Sequence, residues 1–187
     1  MQKSDLPFGS EFSPSQIELP ELLDLVYTRN SELLKRLGSR EHNVSGLALT
    51  AAALKLLDLL DMQFVATHSH WEPTEENAVR LIVESEQPVF SRWQVRCKKT
   101  ELLTLDDVAI EVGLTYLSKS NVIVMISTGN IEDTAQLYAD KVMRTSNLCI
   151  VMLDGTDLDV ISADPIHIKQ IFRRETQRAR RLRQLDI

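Results

Sequence analysis

The stretch Arg92–Lys99, RWQVRCKK, constrains the fold more than any other. Trp93, Val95 and Cys97 alternate with Gln94, Arg96 and Lys98, which is the two-residue period of a β-strand. One face of that strand is apolar and suited to a core. The other sets Gln94, Arg96 and Lys98 in a row. Just upstream, Val79–Glu84 alternates in the same way, with Val79, Leu81 and Val83 against Arg80, Ile82 and Glu84. Ser85-Glu86-Gln87-Pro88 between them reads as a turn. An antiparallel hairpin built from the two strands brings Arg80 close to Arg96. Arg80, Arg96, Lys98 and Lys99 are thereby gathered near one place, although like charges repel. Either acids of the fold, with Glu84 and Glu111 the nearest candidates, or an external anion must answer them.

Bulk composition narrows the classes. A chain of 187 residues that is 43% hydrophobic has enough apolar surface for a real core and is read as one domain with an appendage. Its net charge of −6 argues against indiscriminate coating of nucleic acid, though a local basic site remains compatible with an acidic total. Cys97 and Cys149 both fall within apolar strand patterns and read as small buried hydrophobes of a reduced compartment. No run approaches the ~20 apolar residues of a membrane span. The N-terminal residues lack the basic and apolar regions of a signal peptide, so the expected location is cytoplasmic, with no membrane partner.

Taken in order, residues 1–16 read as a flexible tail and 17–43 as an N-terminal helical segment. Within the latter, Pro20 to Leu37 carries Leu22, Leu23, Val26, Leu33, Leu34 and Leu37 on one stripe. A largely apolar helix follows from Ser45 to about Asp61, then a strand at Gln63–Thr67. His68–Asn77 is a polar loop. His68 and His70 there, with Glu72, have no further ligand at a diagnostic metal spacing. After the hairpin, Leu105–Leu117 is an amphipathic helix expected to pack through Leu105, Val108, Ala109, Val112 and Tyr116. Asp106 and Asp107 lie near its favourable N-terminus. Asn121–Thr128 and Leu148–Leu153 are nearly continuous apolar strands, the second stopped by Asp154-Gly155. Between them Ile131–Arg144 is a helix expected to pack through Ala135, Leu137, Tyr138 and Val142. Strand, helix and strand form a right-handed βαβ unit. Pro165 opens a basic C-terminal helix over 162–187, where Lys169, Arg173, Arg174, Arg178, Arg180, Arg181 and Arg183 accompany an apolar side of Ile168, Ile171, Phe172, Ala179, Leu182 and Leu185. The fold class is therefore α/β, a mixed central sheet of about five strands flanked by helices, with extra N- and C-terminal helices.

The element order and the tripeptide Arg96-Cys97-Lys98 together resemble the restriction-endonuclease-like, PD-(D/E)xK, superfamily and within it the Mrr-type branch. The resemblance covers roughly residues 44–161. Gly46-Leu47-Ala48-Leu49-Thr50 looks like the opening of the branch's first helix, and Val79-Arg80-Leu81-Ile82 like its Asp-bearing strand. Arg96-Cys97-Lys98 looks like its QCK. Ile126-Ser127-Thr128-Gly129 looks like its later strand and turn, and Leu153-Asp154-Gly155-Thr156-Asp157-Leu158 like its terminal IDG–L. The acids do not carry over. Thr50 stands for the helix acid, Arg80 for the strand Asp, and Arg96 for the Gln or Glu; Lys98 alone remains as a remnant of the catalytic set.

Phosphodiester cleavage in such sites relies on divalent ions held by carboxylates, and arginines at ligand positions repel Mg²⁺ while still attracting phosphate. The resemblance thus implies a degenerate nuclease without a cofactor, acting as a DNA-binding or structural module of a DNA restriction, defence or repair system. Arg80, Arg96, Lys98, Lys99, Arg178 and Arg181 are its expected nucleic-acid contacts. One alternative is an active Mg²⁺-dependent DNA endonuclease with relocated acids, of which Glu84 is the candidate metal ligand. Another is an assembly subunit that binds an acidic protein partner, or a homodimer formed through the N- or C-terminal helix.

Overall fold

A computed structural model describes residues 42–58, 60, 62–67, 78–85 and 91–184. The tail, the N-terminal helical segment to residue 41, the loop with His68, His70 and Glu72, and the turn residues 86–90 lie outside the described residues. The element order is α1 (His42–Asp58), β1 (Gln63–Thr67), β2 (Ala78–Ser85), β3 (Ser91–Lys98), β4 (Leu102–Leu103), α2 (Leu105–Ser118), β5 (Val122–Ser127), β6 (Asn130–Ile131), α3 (Asp133–Thr145), β7 (Cys149–Leu153), α4 (Gly155–Ala163) and α5 (His167–Gln184).

Five strands form one mixed sheet in the order β1-β2-β3-β5-β7. β1, β2 and β3 are antiparallel neighbours, whereas β5 lies parallel to β3 and β7 parallel to β5. The RWQVRCKK strand is therefore the middle of the sheet. β3 and β5 run on into the short parallel pair β4–β6, tied by Thr128 N–H to Lys98 O at 3.2 Å and Asn130 N–H to Glu101 O at 2.9 Å.

The two faces differ in kind. On one, Leu81, Val83, Val95, Cys97, Val124, Ile126, Val151 and Leu153 are covered by Ala53, Leu56 and Leu57 of α1, Ile161 of α4, and Ile168 and Ile171 of α5. Trp93 extends this face by stacking on Phe172, with ring centroids 5.5 Å apart. On the other, Ile123, Met125, Ile150 and Met152 of the parallel half meet Val108 of α2, Ala135, Ala139 and Met143 of α3, and Ala179 and Leu182 of α5. The β2–β3 half of that same face carries Arg80, Gln94 and Arg96. The basic helix α5 thus passes from one core to the other beside β7 and covers an edge that would otherwise present unpaired backbone groups.

Three expectations are corrected. Tyr116 is 88% exposed rather than packed, because α2 turns Asp107, Val108 and Glu111 toward the sheet instead. Leu137 is 68% exposed, and α3 buries the smaller Ala135 and Ala139 with Met143. Asp154-Gly155 does not merely stop β7. Asp154 caps α4 by accepting from Asp157 N–H at 2.9 Å, and Gly155 N–H donates to Gly129 O at 3.0 Å. The Ser127-Thr128-Gly129 and Asp154-Gly155 fragments are therefore packed neighbours at the ends of parallel strands.

That close approach generates a contrast between two glycines. A Cβ on Gly129 would lie 2.3 Å from Glu101 O, whereas one on Gly113, exposed within α2, meets nothing within 4 Å. Gly129→Ala is expected to lower unfolding stability by about 1–3 kcal/mol, as overpacking against backbone does. Gly113→Ala is expected to raise it by about 0.5–1 kcal/mol through helix propensity. Urea unfolding of the two variants checks both signs.

Candidate functional site

Arg80 and Arg96 are direct register partners across β2 and β3, as the hairpin pattern predicts. Their repulsion is answered from α2. Glu111, with 1% of its side chain exposed, faces the sheet between them. Arg80 Nε donates to Glu111 Oε1 and Oε2 at 3.1 and 3.0 Å, and Arg80 Nη2 adds a bond at 2.5 Å. Arg96 Nε forms an ion pair with the same carboxylate at 3.6 Å. Gln94 Nε2 donates to the carboxylate and, at 3.1 Å, to the Glu111 backbone oxygen. Gln94 Oε1 in turn accepts from Ser118 Oγ–H at 2.9 Å. A buried carboxylate needs this many donors, since an uncompensated charge in a low-dielectric interior is costly.

One turn earlier on α2, Asp107 divides its two oxygens. Oδ1 takes Lys98 Nζ at 2.5 Å, and Oδ2 accepts from Thr104 N–H and Oγ1–H, each at 3.0 Å. Asp107 N–H donates in return to Thr104 Oγ1 at 3.4 Å, which completes a capping box. The helix start and the Lys98 pair are thereby one construction. Burial alone would raise the Asp107 carboxyl, but the hydrogen bonds from Lys98 and Thr104 and the lysine charge outweigh it and hold the group below the usual carboxylate range.

Arg80 and Arg96 thus stand side by side as the hairpin pattern predicts, but they do not form an open positive patch. Arg96 is buried and Arg80 nearly so, and both are engaged by Glu111. Lys99 lies past the end of β3, in a shallow cleft with Thr100, Glu101, Thr128 and Gly129. Glu84, the metal ligand of the active-enzyme alternative, pairs instead with its register partner Arg92, at 2.5 Å. Arg178 turns inward to an ion pair with Asp140 at 2.7 Å and a contact to Glu175 at 3.4 Å, so of the two C-terminal arginines singled out only Arg181 stands on the surface. Gln94 and Asp107 were missed as site members. Their signal was the shared strand face for Gln94 and the i, i+4 spacing of Asp107 and Glu111.

The donor set does not fit a divalent ion as arranged. Hard cations take several oxygen ligands. Here two guanidinium groups and an amide hold one carboxylate, and an ammonium holds the other. Among the described residues no group of three or more His, Cys, Asp or Glu side chains could hold a metal. Cys97, beneath Arg96, is inert as a nucleophile because burial, offset only in part by the Arg96 charge, pushes its thiol up to about 12. No described helix is long and apolar enough to cross a membrane.

A scan against protein-family models finds no match, and no curated protein matches the sequence.

Two predictions arise from the network. Glu111→Ala removes the common partner of Arg80 and Arg96 and is expected to cost about 3–5 kcal/mol in urea unfolding, the penalty of stranding buried charge. Joint replacement of Arg80, Arg96 and Glu111 by Met, Met and Leu is expected to recover most of that loss. Asp107 sets a pH dependence. Its carboxyl is depressed in the folded state, so its contribution is present above the ordinary value near pH 4 and is lost as pH falls through the lower folded value. Asp107→Asn is expected to flatten the acid limb of a stability–pH profile and leave its neutral-to-alkaline shape unchanged.

Proposed function

We propose that the chain is a restriction-endonuclease-like protein whose catalytic centre has become an internal charge network. It does not cleave nucleic acid and serves as a nucleic-acid-binding or structural module in a DNA restriction, defence or repair system. One observation carries this reading. Arg80 and Arg96 stand where the resemblance places the strand acid and the Gln or Glu, and both are closed onto Glu111. The sheet supports it too. An antiparallel β1-β2-β3 followed by parallel β5 and β7, with α2 and α3 as the crossovers, is the element order the resemblance implies.

A second reading has its own observation. Asp107 and Glu111 share one side of α2 next to Lys98, which is where relocated acids of a working nuclease would need to be. A cation there must first displace Lys98 from Asp107 and Arg80 and Arg96 from Glu111, so the non-cleaving reading is favoured.

Incubation of the full chain with supercoiled plasmid in Mg²⁺ or Mn²⁺ separates the two. The expected outcome is no nicking above a Lys98→Ala control. Cutting that is abolished by Lys98→Ala or by Asp107→Asn would establish the relocated-acid enzyme instead.

A further inference from the structure

The charge cluster on β2 and β3 is engaged from within, Arg80 and Arg96 by Glu111 and Lys98 by Asp107, whereas α5 carries its cations outward. Helix α5 holds a third of the chain's 21 lysines and arginines and only one of its 27 acids. That acid, Glu175, is buried. Three of the helix's arginines serve the fold. Arg174 pairs with Glu175 at 2.8 Å and Asp157 at 3.3 Å, Arg178 pairs with Asp140, and Arg183 Nη2 donates to Leu148 O at 2.7 Å. Lys169, Arg173, Arg180 and Arg181 are exposed, and among the described residues none of the four has an ion-pair partner. They follow one another at helical spacing on the side opposite Ile168, Ile171, Ala179 and Leu182, with Gln170 and Gln177 between them.

A helix surface shaped only for solubility interleaves glutamates with its lysines and gains a few tenths of a kcal/mol per pair. This one forgoes them and accepts like-charge repulsion along its length. We infer that the outward face of α5, through Lys169, Arg173, Arg180 and Arg181, is a docking surface for the phosphate backbone of duplex nucleic acid. The inference rests on the proposed role as a nucleic-acid-binding module and assigns that role its surface.

Chemistry selects the partner. At ~1.5 Å per residue the helix runs for about 27 Å, a line of cations matched to a line of anions, and a duplex presents a charge every ~1.7 Å of its axis. Arginine binds phosphate oxygens bidentately, and glutamine supplies neutral donors beside it. The face carries no aromatic side chain on which unpaired bases could stack, which disfavours a single strand. It carries no apolar side chain to enter a lipid interface.

The test uses the full chain and fluorescence anisotropy with a mixed-sequence 30-base-pair duplex at ~50 and ~200 mM salt. Four phosphate contacts are expected to give roughly a hundred-fold weaker binding at the higher salt. Substitution of Lys169, Arg173, Arg180 and Arg181 by Gln, which keeps helix propensity, is expected to remove most of that salt dependence with an unchanged melting temperature. Each single substitution is expected to lower the log–log salt slope by about one. Duplex binding that the fourfold variant retains with the same slope would overturn the α5 surface and leave the non-cleaving module standing. Tighter binding of an oligo-dT strand, or binding of a polyglutamate peptide in place of duplex, would overturn it in favour of a single strand or an acidic protein. Absence of duplex binding at low salt would overturn it together with the nucleic-acid arm of the proposed function, whereas plasmid cleavage would overturn the non-cleaving arm alone.

Discussion

Placing Arg80 opposite Arg96 in the middle of a sheet is unfavourable unless a carboxylate is delivered to them, and much of the architecture is the delivery of Glu111. The register of β2 and β3 fixes the two arginines. Helix α2 must then present an acid to the sheet at one height and a second acid, Asp107, to Lys98 one turn earlier. That requirement sets the rotation of the helix about its axis. It explains why Tyr116 and Leu117 face outward although both are large and apolar, and why Val108 is the buried apolar residue of the first turns. Electrostatics outranks hydrophobicity here because an unanswered buried charge costs several kcal/mol, while an exposed tyrosine forfeits less.

The two faces of the sheet share this load unequally. The apolar face is continuous from β2 to β7 and would suffice as a core for a smaller protein. The other is split, apolar over β5 and β7 and charged over β2 and β3. Helix α5 joins the halves of the problem. Its N-terminal part seals the apolar face, and its C-terminal part packs with α3 on the far side, so the edge strand β7 is enclosed on both sides. Arg174, Arg178 and Arg183 hold it there through Asp157, Asp140 and the carbonyls of Met143 and Leu148, and Lys169, Arg173, Arg180 and Arg181 face outward.

The hairpin, the βαβ unit and the five strands were legible because period-two alternation and continuous apolar runs are direct consequences of which faces are covered. The Arg80–Arg96 contact was legible for the same reason. What alternation cannot report is which side of a neighbouring helix turns inward when apolar and acidic stripes compete, and this is where Tyr116 and Leu137 were misplaced. Helix α4 escaped notice because Asp154-Gly155 has two meanings, a stop after a strand or a cap before a helix, and only the bond from Asp157 N–H decides between them. Glu111 was visible as one acid among several. Its central place depends on a distance in space, across 31 residues of chain, that no local pattern encodes.

In the proposed reading, a cation-dependent centre has become a structural one. A metal site gathers carboxylates, and their mutual repulsion is relieved by the ion. Reversing the sign on the strands leaves the geometry of convergence intact and turns the helix acid from an addition into a necessity. Arg80 and Arg96 supply fixed positive charge to the Glu111 carboxylate, and Gln94 donates to it without adding charge. The product is a core that holds its own counter-ions. Such a core has no vacancy for an incoming phosphate, because every donor aimed at Glu111 would have to give up a buried charged partner for one still hydrated in solvent. In the proposed reading, closing the old centre and keeping an open row of cations on α5 are therefore two sides of one division of labour: buried charge specifies the fold, and only solvated charge remains available for recognition.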